Sequence, residues 1–199
     1  MEAKIAENNL KTVIIAEDNT LTRRCIKGHM EILGYDVVGD AANGEDAVTL
    51  FMEHSPALVI LDVKMPKMSG LDAARAITAI TPTPIILVTG HSEESLAAEA
   101  VEAGVFAYLV KPVTKKHLLP AIKLATARFS QFRELDTEVS DLKEAIEARK
   151  LIERAKGILM KRCDVGEAEA FKLLQTQSQK ENKKMKNIAE MVISASKLI

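Results

Sequence analysis

Four short apolar runs each end in a residue that can do chemistry. "TVIIAED" closes on two carboxylates, Glu17 and Asp18; "LVILDVKMP" delivers Asp62; "PIILVTGH" delivers Thr89; "FAYLVKP" delivers Lys111 ahead of Pro112. Open parallel α/β sheets bind ligands at the carboxyl ends of their strands, so these side chains are expected to converge. An acid pair, a further aspartate, a hydroxyl and a lysine brought together compose a phosphorylation site. Asp62 is the candidate nucleophile, a carboxylate able to form an acyl phosphate. Glu17, Asp18 and Asp62 make an oxygen-rich pocket whose negative charges repel and raise one another's pKa values. A bound Mg²⁺ resolves that conflict, because it favours octahedral oxygen coordination with several waters and neutralises phosphoryl oxygens. Lys111 can pair with a remaining phosphoryl oxygen as a point charge, and Thr89 can donate its hydroxyl to another. Any one of these residues alone reads as a solvated strand end; four at successive strand ends do not.

The elements that must position them follow from the pattern. β-type runs near 12–16, 35–39, 57–61, 84–88 and 106–110 alternate with helical patterns near 20–33, 44–54, 70–80, 93–103 and from 115 onward. Strict alternation predicts a parallel sheet covered on both faces, and the unbroken apolar runs "ALVIL" and "PIILV" fit strands buried on both sides. Gly34, Gly44, Gly70 and Gly104 mark turns or helix ends. The expectation is an α/β, doubly wound, five-strand domain ending near residue 127, preceded by a frayed segment, 1–11.

The bulk properties narrow the class. The 199 residues leave room for one medium domain and a small one, and net charge is −1. From Lys150 to Ile199 there are 11 Lys+Arg against 6 Asp+Glu, a local +5. An acidic front and a basic tail suit a cation-using site followed by a polyanion-facing module, although scatter of this size is also ordinary. Cys25 and Cys163 are far apart and form no CxxC pair, which fits reduced thiols in the cytoplasm. The start lacks the apolar core of a signal peptide, and no run approaches the length of a membrane span.

The strand-end residues are those by which the chain resembles the receiver domain of two-component response regulators, over residues 12–127. The resemblance rests on Glu17-Asp18, Asp62 in "LDVKMPKMSG", Thr89 in "VTGH", and Tyr108, Lys111 and Pro112 in "YLVKP". It implies a flavodoxin-like sheet of order 2-1-3-4-5, with Asp62 as phosphoacceptor for a sensor histidine kinase. It implies Mg²⁺ held by Asp18, Asp62 and the backbone carbonyl of Lys64, with Glu17 acting through water. Thr89 and Tyr108 correspond to a switch pair, and Lys111-Pro112 to a peptide bond usually cis in the family. Lys64 and His91, two residues beyond Asp62 and Thr89, are candidates for shielding the acyl phosphate and setting its lifetime.

Beyond the receiver, Phe132, Leu135, Val139, Leu142 and Ile146 alternate at spacings of three and four, the seam of a coiled coil. The same pattern also suits an amphipathic helix lying on its own domain. A coiled-coil linker over 128–149 and a three-helix unit over 150–199 are expected. In that unit Ala170, Phe171 and Leu174 form one packed face. The tail resembles the ANTAR domain, an RNA-binding module of antiterminators, through "ARKLIERAKGILM", the Glu-Ala-Glu-Ala-Phe of 167–171 and Ile188-Ala189. Gly166 stands where that family often carries a capping serine. Lys150, Arg154, Lys156, Lys161, Arg162, Lys183, Lys184 and Lys186 are the candidate RNA contacts. The resemblance implies a cytoplasmic, non-catalytic regulator that dimerises on phosphorylation and binds structured RNA in a transcript leader. A helical DNA-binding output and a protein-binding output are the alternatives; the third helix begins "MKNIAEMVI", too apolar for a recognition helix.

Overall fold

The computed structural model describes residues 11–90 and 94–196. The chain divides into two compact units between Phe132 and Arg133. In the first, strands β1 (Thr12–Ala16), β2 (Asp36–Ala41), β3 (Leu58–Asp62), β4 (Ile85–Thr89) and β5 (Ala107–Val110) form one parallel sheet of order β2-β1-β3-β4-β5. Helices α1 (Thr20–Ile32), α2 (Gly44–His54), α3 (Gly70–Ile80) and α4 (Glu94–Glu102) connect them. A long helix, α5 (Lys115–Cys163), follows β5. Of the expected frayed segment, 1–10 lie outside the described residues.

The central strands are buried along their whole length, because successive side chains point to opposite faces and both faces are covered. On one face Ile14, Val59, Leu61 and Leu87 pack against Ala47, Phe51 and Ile77 of α2 and α3. On the other, Val13, Ile15, Ile60 and Val88 pack against Ile26 and Met30 of α1 and Leu118, Ile122 and Ala125 of α5. The edge strands β2 and β5 are only partly buried. Each has a single neighbour, so their outer residues meet solvent. Asn19 caps α1 by accepting from the backbone N–H of Leu21 and Thr22, and Ser69 caps α3 by accepting from Asp72.

The second unit holds the rest of α5 together with α6 (Glu167–Glu181) and α7 (Met185–Ser196). Its core is Ala155, Leu174, Ile188, Ala189 and Ile193. Gly166 sits at the N-cap of α6 without a side-chain bond, leaving that helix start to backbone geometry alone. One expectation is corrected here. Ala170 and Leu174 are buried, but Phe171 is 42% exposed. The buried stripe of α6 is one residue wide per turn, and Phe171 stands about 100° around the helix from Ala170. The expected linker, 128–149, falls inside the unbroken helix α5.

The first part of α5 belongs energetically to the sheet. Leu118 is fully buried, so Leu118→Ala is expected to destabilise the chain by about 2–5 kcal/mol, measured by urea denaturation. A loss under about 1 kcal/mol would show that the helix start is dispensable to the fold.

Candidate functional site: an acidic pocket at the strand ends

The end of β1 brings Glu17 and Asp18 to the carboxyl edge of the sheet, β3 ends on Asp62, β4 ends on Thr89, and Lys111 follows β5. Hydrogen bonds of the loops fix these ends to one another. The Glu17 N–H donates to the Ala41 carbonyl at 3.1 Å, and the Lys111 N–H donates to the Thr89 carbonyl at 2.8 Å. The Lys111–Pro112 peptide bond is cis.

The side chains meet as their types require. One carboxylate oxygen from each of Glu17, Asp18 and Asp62 lies within 4.8 Å of the others. Glu17 is fully buried, Asp62 and Thr89 are buried, and Asp18 is exposed. Lys111 Nζ donates to Glu17 Oε1 at 2.9 Å and lies 3.1 Å from Asp62 Oδ1. Glu17 Oε1 also accepts from the Asn19 N–H at 3.3 Å. Glu17 Oε2 lies 2.8 Å from the ammonium, within ion-pair range, yet it accepts no hydrogen bond and is buried. The two facts are compatible, because Coulomb attraction depends on distance and a hydrogen bond also on direction. A buried carboxylate oxygen without a donor, beside two more carboxylates, is the donor set a hard divalent cation takes. The pocket therefore fits Mg²⁺.

Burial pushes the carboxyl groups of both Glu17 and Asp62 above the usual carboxylate range. The hydrogen bond from Lys111 works against that push in both. Asp62 adds repulsion on Glu17, and Asp18 adds repulsion on Asp62. Lys111 itself is raised: burial disfavours its charge, but its bonds to Glu17 and Asp62 outweigh that cost.

Sequence patterns identified Gly70 only as a turn or helix end. A Cβ placed there would come within 2.0 Å of the Asp62 carbonyl oxygen, while the Gly70 N–H donates to the Val63 carbonyl at 3.0 Å. The start of α3 thus packs directly on the backbone of the candidate nucleophile, a close approach only glycine permits. Arg23 was also missed. It donates to the Glu17 carbonyl at 2.5 Å and pairs with Asp40 at 3.1 Å, which anchors the acid pair from behind. Neither residue carries a spacing signal, since each acts on backbone groups six to eight residues away across a loop rather than through its own side-chain pattern.

The remaining expected residues are placed as follows. Lys64 is exposed in the loop after β3, and Tyr108 on β5 is half exposed. His91 lies outside the described residues. In the second unit Arg154 and Lys161 are exposed and form no ion pair among the described residues. Lys150 pairs with Glu147, Lys183 with Glu181, and Lys184 with Glu144 at 3.7 Å. Arg162 donates to the Ser196 carbonyl at 2.9 Å, and Lys186 is partly buried. Lys156 is buried and held between Glu153 at 3.0 Å and Glu167 at 2.6 Å. It joins α5 to α6.

Comparison with known proteins agrees with this geometry. Residues 13–123 match the response regulator receiver domain, and residues 140–193 match the ANTAR domain. The chain is 43% identical over 183 residues to the transcriptional regulatory protein PdtaR of Mycobacterium tuberculosis strain H37Rv, covering 92% of this chain and 89% of that protein. The chain belongs to the response regulators with a receiver and an ANTAR domain. Its output is thus of an RNA-binding type. Among solved structures, a CheY-like receiver domain protein from Methanospirillum hungatei is similar at 28% identity and TM-score 0.57, covering 61% of this chain and 98% of that one. The CheX-CheY-BeF3-Mg complex from Borrelia burgdorferi is similar at 25% identity and TM-score 0.54, covering 56% and 85%. No described helix is long and apolar enough to cross a membrane.

The raised carboxyl groups predict a pH dependence in the chelated protein. A carboxyl group with a folded pKa above its unfolded value costs stability once ionised. Stability should therefore fall as pH rises from the ordinary carboxylate range through the raised values. Asp62→Asn removes one of these charges. It should stabilise the Mg²⁺-free protein near neutral pH and flatten the profile. Thermal melts in EDTA from the ordinary carboxylate range up to neutral pH check this; a destabilised Asp62→Asn protein would contradict it.

Proposed function

We propose that this chain is a response regulator phosphorylated on Asp62 by a sensor histidine kinase. Phosphorylation controls its dimerisation and its binding to structured RNA in a transcript leader, and so governs antitermination. The observation that carries the receiver half is the Lys111 ammonium held between Glu17 and Asp62 at the strand ends. The ANTAR match and the resemblance to PdtaR support the output half.

An Asp62 carboxylate oxygen attacks the phosphorus of the donor's phosphohistidine. The new O–P bond forms as the P–N bond breaks, and the electron pair stays with the donor's imidazole nitrogen. Lys111 holds one phosphoryl oxygen and Thr89 donates its hydroxyl to another. Asp18, Asp62 and the Lys64 carbonyl would hold Mg²⁺, with Glu17 through water; the ion supplies neutralisation of phosphoryl charge. The CheY structure with beryllium trifluoride and magnesium is the parallel that favours this ion. Lys64, exposed in the loop after β3, and His91, outside the described residues, are the candidates for setting the lifetime of the acyl phosphate.

The acquired charge, about −1.5 to −2, draws Thr89 toward it, and Tyr108 turns inward behind the threonine. Phe132, Leu135, Val139, Leu142 and Ile146 are the dimer seam. All five are large apolar side chains between 41% and 62% exposed, at heptad spacing on one helix, which a second copy can cover. Two joined output units raise each other's effective concentration on an RNA with two sites.

Two measurements test this reading. Phosphate incorporation from a histidine kinase or small phosphodonor, with Mg²⁺ present, should vanish in Asp62→Asn; persistent labelling would move the acceptor elsewhere. Leu142→Glu should leave that labelling intact yet weaken binding to paired hairpins by roughly 5–150-fold, the usual range of allosteric coupling. Equal affinity of Leu142→Glu and parent in RNA titrations would exclude the dimer seam.

A further inference from the structure

The exposed ring of Phe171 is unaccounted for by the packing of the second unit. It is 42% exposed, lies outside the core cluster, and stacks on no other ring among the described residues. It is also the only aromatic residue between Arg133 and Ile199. A phenylalanine in water on a small three-helix unit loses the stabilisation that burial would give it.

Its surroundings on α6 are polar in one particular way. Residues four apart on a helix form a row, and the row through Phe171 continues to Gln175 and Gln179. Both glutamines are exposed, and their side chains form no hydrogen bond among the described residues. Lys172 flanks the row and is exposed as well. One carboxylate stands at its start, Glu167 four residues before Phe171, and it is ion-paired. Glu167 is turned to Lys156 at 2.6 Å, Glu181 is held by Gln177 and Lys183, and Glu169 lies on another face of the helix. The segment from Lys150 onward carries a net +5. An aromatic face, two free carboxamides and an ammonium in one row are the groups that read unpaired RNA. Rings stack on splayed bases, amides pair with base edges, and lysine meets phosphate.

We infer that Phe171 is a base-stacking residue, and that the row Phe171, Gln175 and Gln179 on α6 binds an unpaired loop of RNA, with Lys172 on its phosphate backbone. The inference rests on the RNA-binding function proposed above and names the face that performs it. Stacking gives affinity with little base preference, and the two glutamines supply discrimination. Duplex RNA offers no splayed base, so it engages the basic side chains without Phe171.

The test uses the full chain loaded with beryllium fluoride and Mg²⁺. An RNA pool with a fixed stem closing a randomised loop is enriched on the parent protein. An enriched hairpin carrying 2-aminopurine in its loop is then titrated, beside a fully paired duplex of the stem sequence. Phe171→Ala should weaken hairpin binding roughly 5- to 150-fold, the range of one base stack, and abolish the 2-aminopurine quench. Its duplex binding and salt slope should not change. Phe171→Trp should retain hairpin affinity, and Gln175→Ala should widen the range of loops accepted. The inference is overturned if Phe171→Ala binds the hairpin as the parent does. It is equally overturned if hairpin and duplex weaken together, or if sedimentation shows that Phe171→Ala instead abolishes self-association. Failure of the parent to enrich any hairpin would overturn the RNA-binding function itself, a result distinct from failure of the Phe171 variants.

Discussion

Lys111 Nζ lies 2.8 to 3.1 Å from carboxylate oxygens of Glu17 and Asp62, and this contact joins the ends of β1, β3 and β5. These strands are not all neighbours: β4 separates β3 from β5. The ammonium thus reaches across the edge of the sheet and holds an outer strand's end over the central ones. It also makes the burial of two carboxylates tolerable. At an effective dielectric near 20, opposite charges about 4 Å apart attract by roughly 4 kcal/mol. That is enough to offset much of the desolvation, but one lysine cannot balance three acids. The pocket keeps two uncompensated negative charges, and a divalent cation balances them.

Stiffness and freedom are distributed around that contact. The strand that ends on Asp62 is fully buried, and the backbone behind it is wedged by Gly70. Thr89 is buried at the end of β4, whereas Tyr108 on the edge strand is half exposed. In the sheet Tyr108 faces Leu87 and Val110 faces Thr89. A ring on an edge strand with one neighbour can change rotamer without disturbing a packed core. Tyr108 thus stands one strand away from Thr89, at the exposed edge of the sheet.

The output unit follows a different rule. Three of its buried positions are alanines, Ala155, Ala170 and Ala189, which let the helices approach closely. Close helices leave little interior volume, so large apolar residues such as Phe171, Leu173 and Met191 stay in solvent. The ion-paired Lys156 ties α5 to α6 in place of further apolar burial. A small unit of this kind has a thin core and keeps several larger side chains at the surface.

Periodicity and strand-end chemistry in the sequence alone determined the alternating elements, the parallel sheet and the identity of Glu17, Asp18, Asp62, Thr89 and Lys111. The reason is local: a strand buried on both faces must be apolar throughout, so the polar residue ending it stands out. The heptad spacing of Phe132 to Ile146 was legible because those apolar residues recur at three and four among polar ones. What only the tertiary structure decided are the relations between distant residues. It decided that Glu17 keeps one carboxylate oxygen without a donor, that Arg23 braces its carbonyl, and that Gly70 lies against Asp62. It decided that Lys156, one of a run of basic residues, is buried between two glutamates rather than free in solvent. It also decided that Phe171 faces solvent, since a helical pattern gives the buried stripe's direction but not its width. That width is set by how closely the partner helices approach, which no single segment encodes.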